Sequence, residues 1–187
     1  AVDAVDICLP HHLHRDAIVA AADAGKHVLC EKPLCLTLDE AAEIDAAVRR
    51  NGVTVMCAHN QLFVPGVRRA RELLDEGVLG DVYAVRITEA FRNEFTPESM
   101  GWRAVAATAG GGELIDTGYH PTYLMLHLAG GEPSEVTAML SRHRLDFMDG
   151  EDSADLLVRF ADGTAASIET SWAYAGVNPG EKAVVVG

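Results

Sequence analysis

The stretch His27-Val28-Leu29-Cys30-Glu31-Lys32-Pro33, with Thr37-Leu38-Asp39-Glu40 close behind it, decides the fold of this chain. A short β-type apolar run, a charged tripeptide ending in proline and a Thr-x-x-Glu capping box before an alanine-rich segment spell strand, crest loop, helix. Lys32 therefore falls at a strand's carboxyl end. Ligands of open parallel α/β sheets bind along that edge, and the following proline restricts the backbone there, so Lys32 is placed for chemistry. The alternative is a solvated loop lysine.

Upstream, Val5-Asp6-Ile7-Cys8-Leu9 is an apolar run ended by Pro10, and residues 16–24 form an alanine-rich helical stretch closed by Gly25. Downstream, a helix from Thr37 to Arg50 ends at Asn51-Gly52, and Val53-Thr54-Val55-Met56-Cys57 is a third strand. This β-α-β-α-β series predicts parallel strands joined by right-handed crossovers. A doubly wound dinucleotide domain opens with a Gly-x-Gly-x-x-Gly turn, and no such pattern occurs in the 187 residues. The chain starts without methionine just before a strand and ends in Val184-Val185-Val186-Gly187, so it reads as an internal stretch of a longer protein. On its own it is expected neither to bind a dinucleotide nor to turn over.

After Cys57 the pattern changes. Residues 65–76 read as a helix with Val67, Ala70, Leu73 and Leu74 on its apolar side, and 82–90 as a strand with Tyr83, Val85 and Ile87 on one face. Residues 91–112 read as a long loop, of a length that is usually functional or disordered. Leu114 to His120 leads into a helix through Leu124, Leu126 and Leu128. Strands follow over 135–141, 153–160 and 164–172, the last pair joined by the Asp162-Gly163 hairpin signal. The fold class is α/β: the C-terminal part of a Rossmann-type parallel sheet, then an α+β domain with an open, largely antiparallel sheet. The boundary falls near His59 to Pro65, giving 1–60 and 61–187.

Hydrophobic residues make up 49% and charged residues 23%, as in an ordinary globular protein, and the formal net charge is -13. That charge gives no electrostatic footprint for nucleic acid or an anionic membrane. No apolar stretch reaches transmembrane length and the first residues lack a signal-peptide pattern, so the cytoplasm is expected. The four cysteines read as reduced thiols, and neither they nor His11-His12-Leu13-His14 have the spacing of a metal site. The histidine cluster does follow a strand, at the ligand-facing edge. Asp116 and His120 are four apart, one helical turn, so a carboxylate could fix the tautomer of an acid/base imidazole; a capping Asp and an exposed His are the alternative. Trp102-Arg103 could clamp a planar or anionic ligand or simply anchor its loop.

Taken in order, Leu9-Pro10-x-x-x-His14, Gly25-Lys26-His27-Val28-Leu29-Cys30-Glu31-Lys32-Pro33, Trp102-Arg103, Gly110-Gly111-Gly112 and Asp116-x-Gly118-x-His120 resemble the Gfo/Idh/MocA oxidoreductase family. The resemblance runs through nearly the whole chain. It implies a partial dinucleotide-binding domain over 1–60, a partial substrate-binding and oligomerisation domain over 61–187, NAD or NADP as cofactor, and hydride transfer to or from a hydroxyl carbon of a sugar, inositol or related polyol. It further implies that Lys32 contacts the reacting hydroxyl and the nicotinamide ribose, that His120 carries the hydroxyl proton, and that Asp116 orients it or binds substrate. Pro10, His11, His14 and Glu31 would line the cofactor, with Lys32, and Trp102-Arg103 would reach it from the second domain. The strands over 153–160 and 164–172 carry a mixed face with Leu157, Ala165 and Ser167, which suits an open sheet buried by a partner, so a homodimer or homotetramer is expected. NAD-dependent glycoside cleavage on the same fold and a non-catalytic sensor or scaffold are the rival functions. The chain departs from the family where an arginine-containing sequence often follows the third strand: here it reads His59-Asn60-Gln61-Leu62-Phe63.

Overall fold

The computed structural model describes residues 2–174 and 182–187. Strands β1 (Ala4–Ile7), β2 (His27–Cys30) and β3 (Val55–Cys57) form a three-stranded parallel sheet in that order, with α1 (His14–Asp23) and α2 (Leu38–Asn51) as its connections. Ile7, Val28 and Cys30 on the strands meet Ile18 and Ile44 on the helices in one buried cluster. The short apolar runs become strands because each is flanked by a helix that covers it. The N-terminus of α2 is capped as its sequence predicts, Thr37 Oγ1 accepting from Glu40 N at 3.1 Å. The reciprocal bond shifts by one residue: Glu40 Oε2 takes Leu36 N at 2.8 Å, tying down the crest loop itself. The Lys32–Pro33 peptide is cis.

Helix α3 (Pro65–Asp75) leads to β4 (Ala84–Ala90). The 91–112 segment is not a structureless loop. It holds α4 (Pro97–Met100), a 3-10 turn over Gly101–Ala104 and α5 (Ala106–Ala109), elements too short to leave a periodic signature. Thr96 and Ser99 cap α4 reciprocally, at 3.2 and 2.9 Å. Then come α6 (Glu113–Asp116), α7 (Tyr119–Ala129), β5 (Pro133–Ser141), β6 (Ser153–Phe160), β7 (Ala165–Ser171) and β8 (Ala183–Val186).

The second sheet runs β5-β6-β7-β4-β8. Its pairs are antiparallel except β4 with β7: the chain leaves β4 through the helices up to α7, and the meander β5-β6-β7 then brings β7 back beside β4 in the same direction. The alternation of β6 and β7 is realised: Ala154, Val158, Phe160, Ala166, Ile168 and Thr170 are buried, whereas Leu157 stays 66% exposed. Helix α7 lies on the buried face through Tyr123, Leu124, Met125 and Leu128, which join Val85 and Ile87 of β4 in the larger core. Tyr83 departs from the expected pattern: it precedes the strand and is 60% exposed. Among the described residues no helix is long and apolar enough to cross a membrane.

Candidate active site

The carboxyl ends of β1 and β2 face the segment from Trp102 to His120, and Lys32 crosses the gap. Its Nζ donates to Asp116 Oδ1 at 2.5 Å and to Asp116 O at 2.8 Å, while Arg103 Nε donates to Asp116 Oδ2 at 2.9 Å. Both sides of this ion pair are largely withdrawn from water, Lys32 at 15% and Asp116 at 10% side-chain exposure. Burial works against ionisation of Asp116, but the charge and hydrogen bond of Lys32, with the charge of Arg103, outweigh it and hold the carboxyl below its ordinary range. The Arg103 guanidinium lies 4.4 Å over the Trp102 ring. Trp102 meets the ring of His11 edge-on at 4.5 Å, and His11 Nδ1 is 2.9 Å from Ala109 O.

These contacts wall a cleft of about 230 Å³ lined by His11, Glu31, Lys32, Trp102 and Arg103, with Cys8 and Leu9. Five of the residues singled out from sequence thus converge on one opening. Two do not line it. Pro10 is half-buried and accepts Leu13 N through its carbonyl. His14, expected to line a cofactor, is fully buried with Nδ1 2.7 Å from Pro33 O and Nε2 2.8 Å from Leu9 O. With both ring nitrogens set against main-chain carbonyls it has no polar edge left for a ligand, and it ties the two crest loops together instead.

The glycines of the 110–118 segment set how closely this structure can pack. A Cβ on Gly112 would lie 2.0 Å from Glu151 O, and one on Gly118 would lie 2.7 Å from Leu114 Cα, both impossible contacts with backbone. Gly112 lets the segment sit against Glu151, and Gly118 allows a break between α6 and α7. That break corrects the expected pairing of Asp116 with His120. Helix α6 ends at Asp116 and α7 starts at Tyr119, so the four-residue spacing does not run along one helix. Asp116 gives its oxygens to Lys32 and Arg103, and His120 turns elsewhere.

The partner of His120 is Tyr123: Nδ1 lies 2.8 Å from the Tyr123 hydroxyl. That hydroxyl also accepts from Gln61 N at 3.2 Å and donates to Asn60 Oδ1 at 3.3 Å, and its ring stacks on His59 at 4.5 Å. Burial, then the charge of Lys32, lowers the pKa of His120 below the ordinary imidazole value. Sequence reasoning missed this set. The spacing of Tyr123, three residues after His120 on a helix, was a usable signal; the approach of His59, Asn60 and Gln61 was not. The site thus holds an ammonium anchored by an ionised carboxylate, a stacked Trp-Arg wall, and an uncharged imidazole. Such a set can stabilise a developing oxyanion and accept a proton from it.

Comparison with known proteins gives this geometry a setting. The family described as "Oxidoreductase family, NAD-binding Rossmann fold" matches residues 1–59, and the "GFO/IDH/MocA C-terminal domain" matches residues 67–187. Among curated relatives, 1,5-anhydro-D-fructose reductase of Ensifer adhaerens is 33% identical over 171 residues, 91% of this chain and 51% of the relative. Levoglucosan dehydrogenase of Pseudarthrobacter phenanthrenivorans is 31% identical, covering 91% of this chain and 49% of the relative. The crystal structure of an inositol dehydrogenase homologue from Azotobacter vinelandii, complexed with NAD+, superposes over 100% of this chain and 50% of its own, with a TM-score of 0.91 at 28% identity. The chain spans about half the length of the curated relatives it matches. Matched along both of its parts, the chain belongs to the Gfo/Idh/MocA family of oxidoreductases.

Proposed function

We propose that the intact protein transfers a hydride between NAD or NADP and a hydroxyl carbon of a sugar, inositol or related polyol, with Lys32, Asp116 and His120 as its catalytic group. The observation that carries this reading is the Lys32–Asp116 ion pair, which joins the carboxyl edge of the parallel sheet to the end of α6. The chemistry of the cleft fits a nicotinamide nucleotide: an aromatic-cation wall from Trp102 and Arg103, with His11, Glu31 and Lys32 also lining it. At about 230 Å³ it is smaller than the ~300–1,000 Å³ of a drug-sized pocket, room for the ring and its ribose and not for a whole dinucleotide. The bound cofactor supplies hydride acceptance or donation. Lys32 lowers the cost of negative charge on the substrate oxygen, Asp116 holds Lys32 in line, and His120 accepts the hydroxyl proton in oxidation and returns it in reduction.

The relatives support the substrate class through their names alone, an anhydro sugar reductase, an anhydro sugar dehydrogenase and an inositol dehydrogenase homologue. A reaction that draws on the nicotinamide pool fits the cytoplasm. The charge of -13 argues against a nucleic-acid or membrane partner. The open face of the five-stranded sheet, where Leu157 and Met139 stand 66% and 67% exposed, suits burial by a second copy in a homodimer or homotetramer. Light scattering of the intact protein at micromolar concentration is expected to give a dimer or tetramer, and a monomer contradicts that assembly. For the activity, the intact protein is mixed with NAD+ or NADP+ and a panel of inositols, aldoses and anhydro sugars, and nicotinamide absorbance is followed. Turnover with a member of the panel is expected. Cofactor binding without turnover on any member contradicts the reading.

A further inference from the structure

Among the described residues the imidazole of His120 makes one side-chain hydrogen bond, to a hydroxyl that itself has two other partners. We propose that Tyr123, held between Gln61 N and Asn60 Oδ1, is the positioning residue that keeps His120 in the tautomer with Nδ1 protonated and Nε2 bare, the form able to take a proton from substrate. The inference rests on the reading of His120 as the proton carrier.

The argument is a count of hydrogens. The Tyr123 hydroxyl has one hydrogen and two lone pairs, and three groups approach it: Gln61 N at 3.2 Å, His120 Nδ1 at 2.8 Å and Asn60 Oδ1 at 3.3 Å. Gln61 N–H can only donate. Asn60 Oδ1 can only accept, so it takes the hydroxyl hydrogen. The remaining lone pair faces Nδ1, and only an Nδ1–H makes that contact a hydrogen bond. All three contacts are then satisfied at once. In the opposite tautomer the hydroxyl hydrogen turns to Nδ1 and the Asn60 contact is lost.

The same arrangement serves the protonated imidazole. An imidazolium also donates from Nδ1, so uptake of a proton at Nε2 requires no reorientation of Tyr123, Asn60 or Gln61 behind it. The hydroxyl is fixed from its other side, the ring stacked on His59 at 4.5 Å with 22° between planes. Other groups bear on His120 from every element around it: Lys32 after β2, Asp116 of α6, Glu89 of β4 and Lys182 before β8. None of them shares a hydrogen bond with its ring, so they bias its charge without choosing which nitrogen bears the proton.

The test uses the intact protein and the pH dependence of kcat/KM for hydroxyl oxidation, in which the rising limb reports the free enzyme's base. Tyr123→Phe is expected to lower kcat about tenfold, the scale of one orienting hydrogen bond, with KM little changed. It also moves the rising limb to lower pH, because the imidazolium loses its acceptor. Asn60→Asp keeps an acceptor for the hydroxyl and adds negative charge, so it moves the limb to higher pH. A purely structural role for Tyr123 would leave the limb of Tyr123→Phe where the parent has it. Nitrogen NMR of labelled histidine is expected to show neutral His120 protonated at Nδ1, and protonation at Nε2 overturns the proposal. If the limb disappears in His120→Ala yet stays fixed in both Tyr123→Phe and Asn60→Asp, the positioning role falls and the role of His120 stands. If His120→Ala keeps the limb, the reading of His120 itself falls.

Discussion

Two carboxylates three residues apart on α6 meet opposite environments. Asp116 faces the cleft, where Lys32 and Arg103 hold it ionised although it is buried. Glu113 faces the sheet, fully buried, with Thr170 Oγ1 at 2.6 Å on one oxygen and no hydrogen-bond partner among the described residues on the other. Burial pushes its carboxyl up to about 8, helped by the negative charges of Glu151, Glu89 and Asp116. Burial accounts for the state of Glu113 and fails for Asp116. What differs is whether a cation is brought to the carboxylate, and at Asp116 that cation comes from the other sheet.

The largest expected effect comes from removing that cation. Lys32→Met should lower turnover of the intact protein by ~10²–10⁴-fold with cofactor affinity changed only modestly, since Lys32 acts mainly on charge that develops in the transition state. Steady-state rates with a cofactor titration check it, and near-normal turnover refutes the role. Asp116→Asn should cost less, about 10–100-fold, because Lys32 remains but loses its anchor. Its oxidation profile should also shift slightly to lower pH, since a negative charge that favours the imidazolium of His120 is gone.

The sheet side of the comparison shows in stability. A folded-state value of about 8 for Glu113 lies above the ~4.3 of an unfolded glutamate, so between those values the folded chain keeps a proton that the unfolded chain releases. Stability falls as pH rises wherever the native state binds more protons. Glu113→Gln mimics the protonated acid and removes that slope. Urea unfolding should show the variant close to the parent at pH 4 and more stable than it at pH 8, by roughly a few kcal/mol. Equal stability at both pH values would mean that Glu113 is ionised and compensated.

The same contrast explains what could be read from the sequence. Lys32 was legible because strand, crest loop and capping box fix its place locally, and Thr37 caps α2 as the sequence predicts. The alternation of β6 and β7 was legible for the same reason. The Asp116–His120 pairing, which presumes one helix, is not realised, because α6 ends at Asp116 and α7 starts at Tyr119. The short helices of 97–109 were hidden by their length. The carbonyls of Leu9 and Pro33 that enclose His14, and the turn that brings Asn60 and Gln61 to Tyr123, are long-range approaches for which no local pattern exists.

The claim on which the account depends is that an uncharged imidazole at position 120 carries the substrate proton beside the Lys32–Asp116 pair. It is tested most directly by the pH profile of hydroxyl oxidation by the intact protein, compared between the parent and His120→Ala. The parent is expected to rise along a limb below the ordinary imidazole value of ~6.5, because burial and the charge of Lys32 lower the pKa of His120 and only the neutral ring accepts a proton. His120→Ala should lose that limb together with most of the rate, and the same limb at undiminished rate in both proteins would contradict the account.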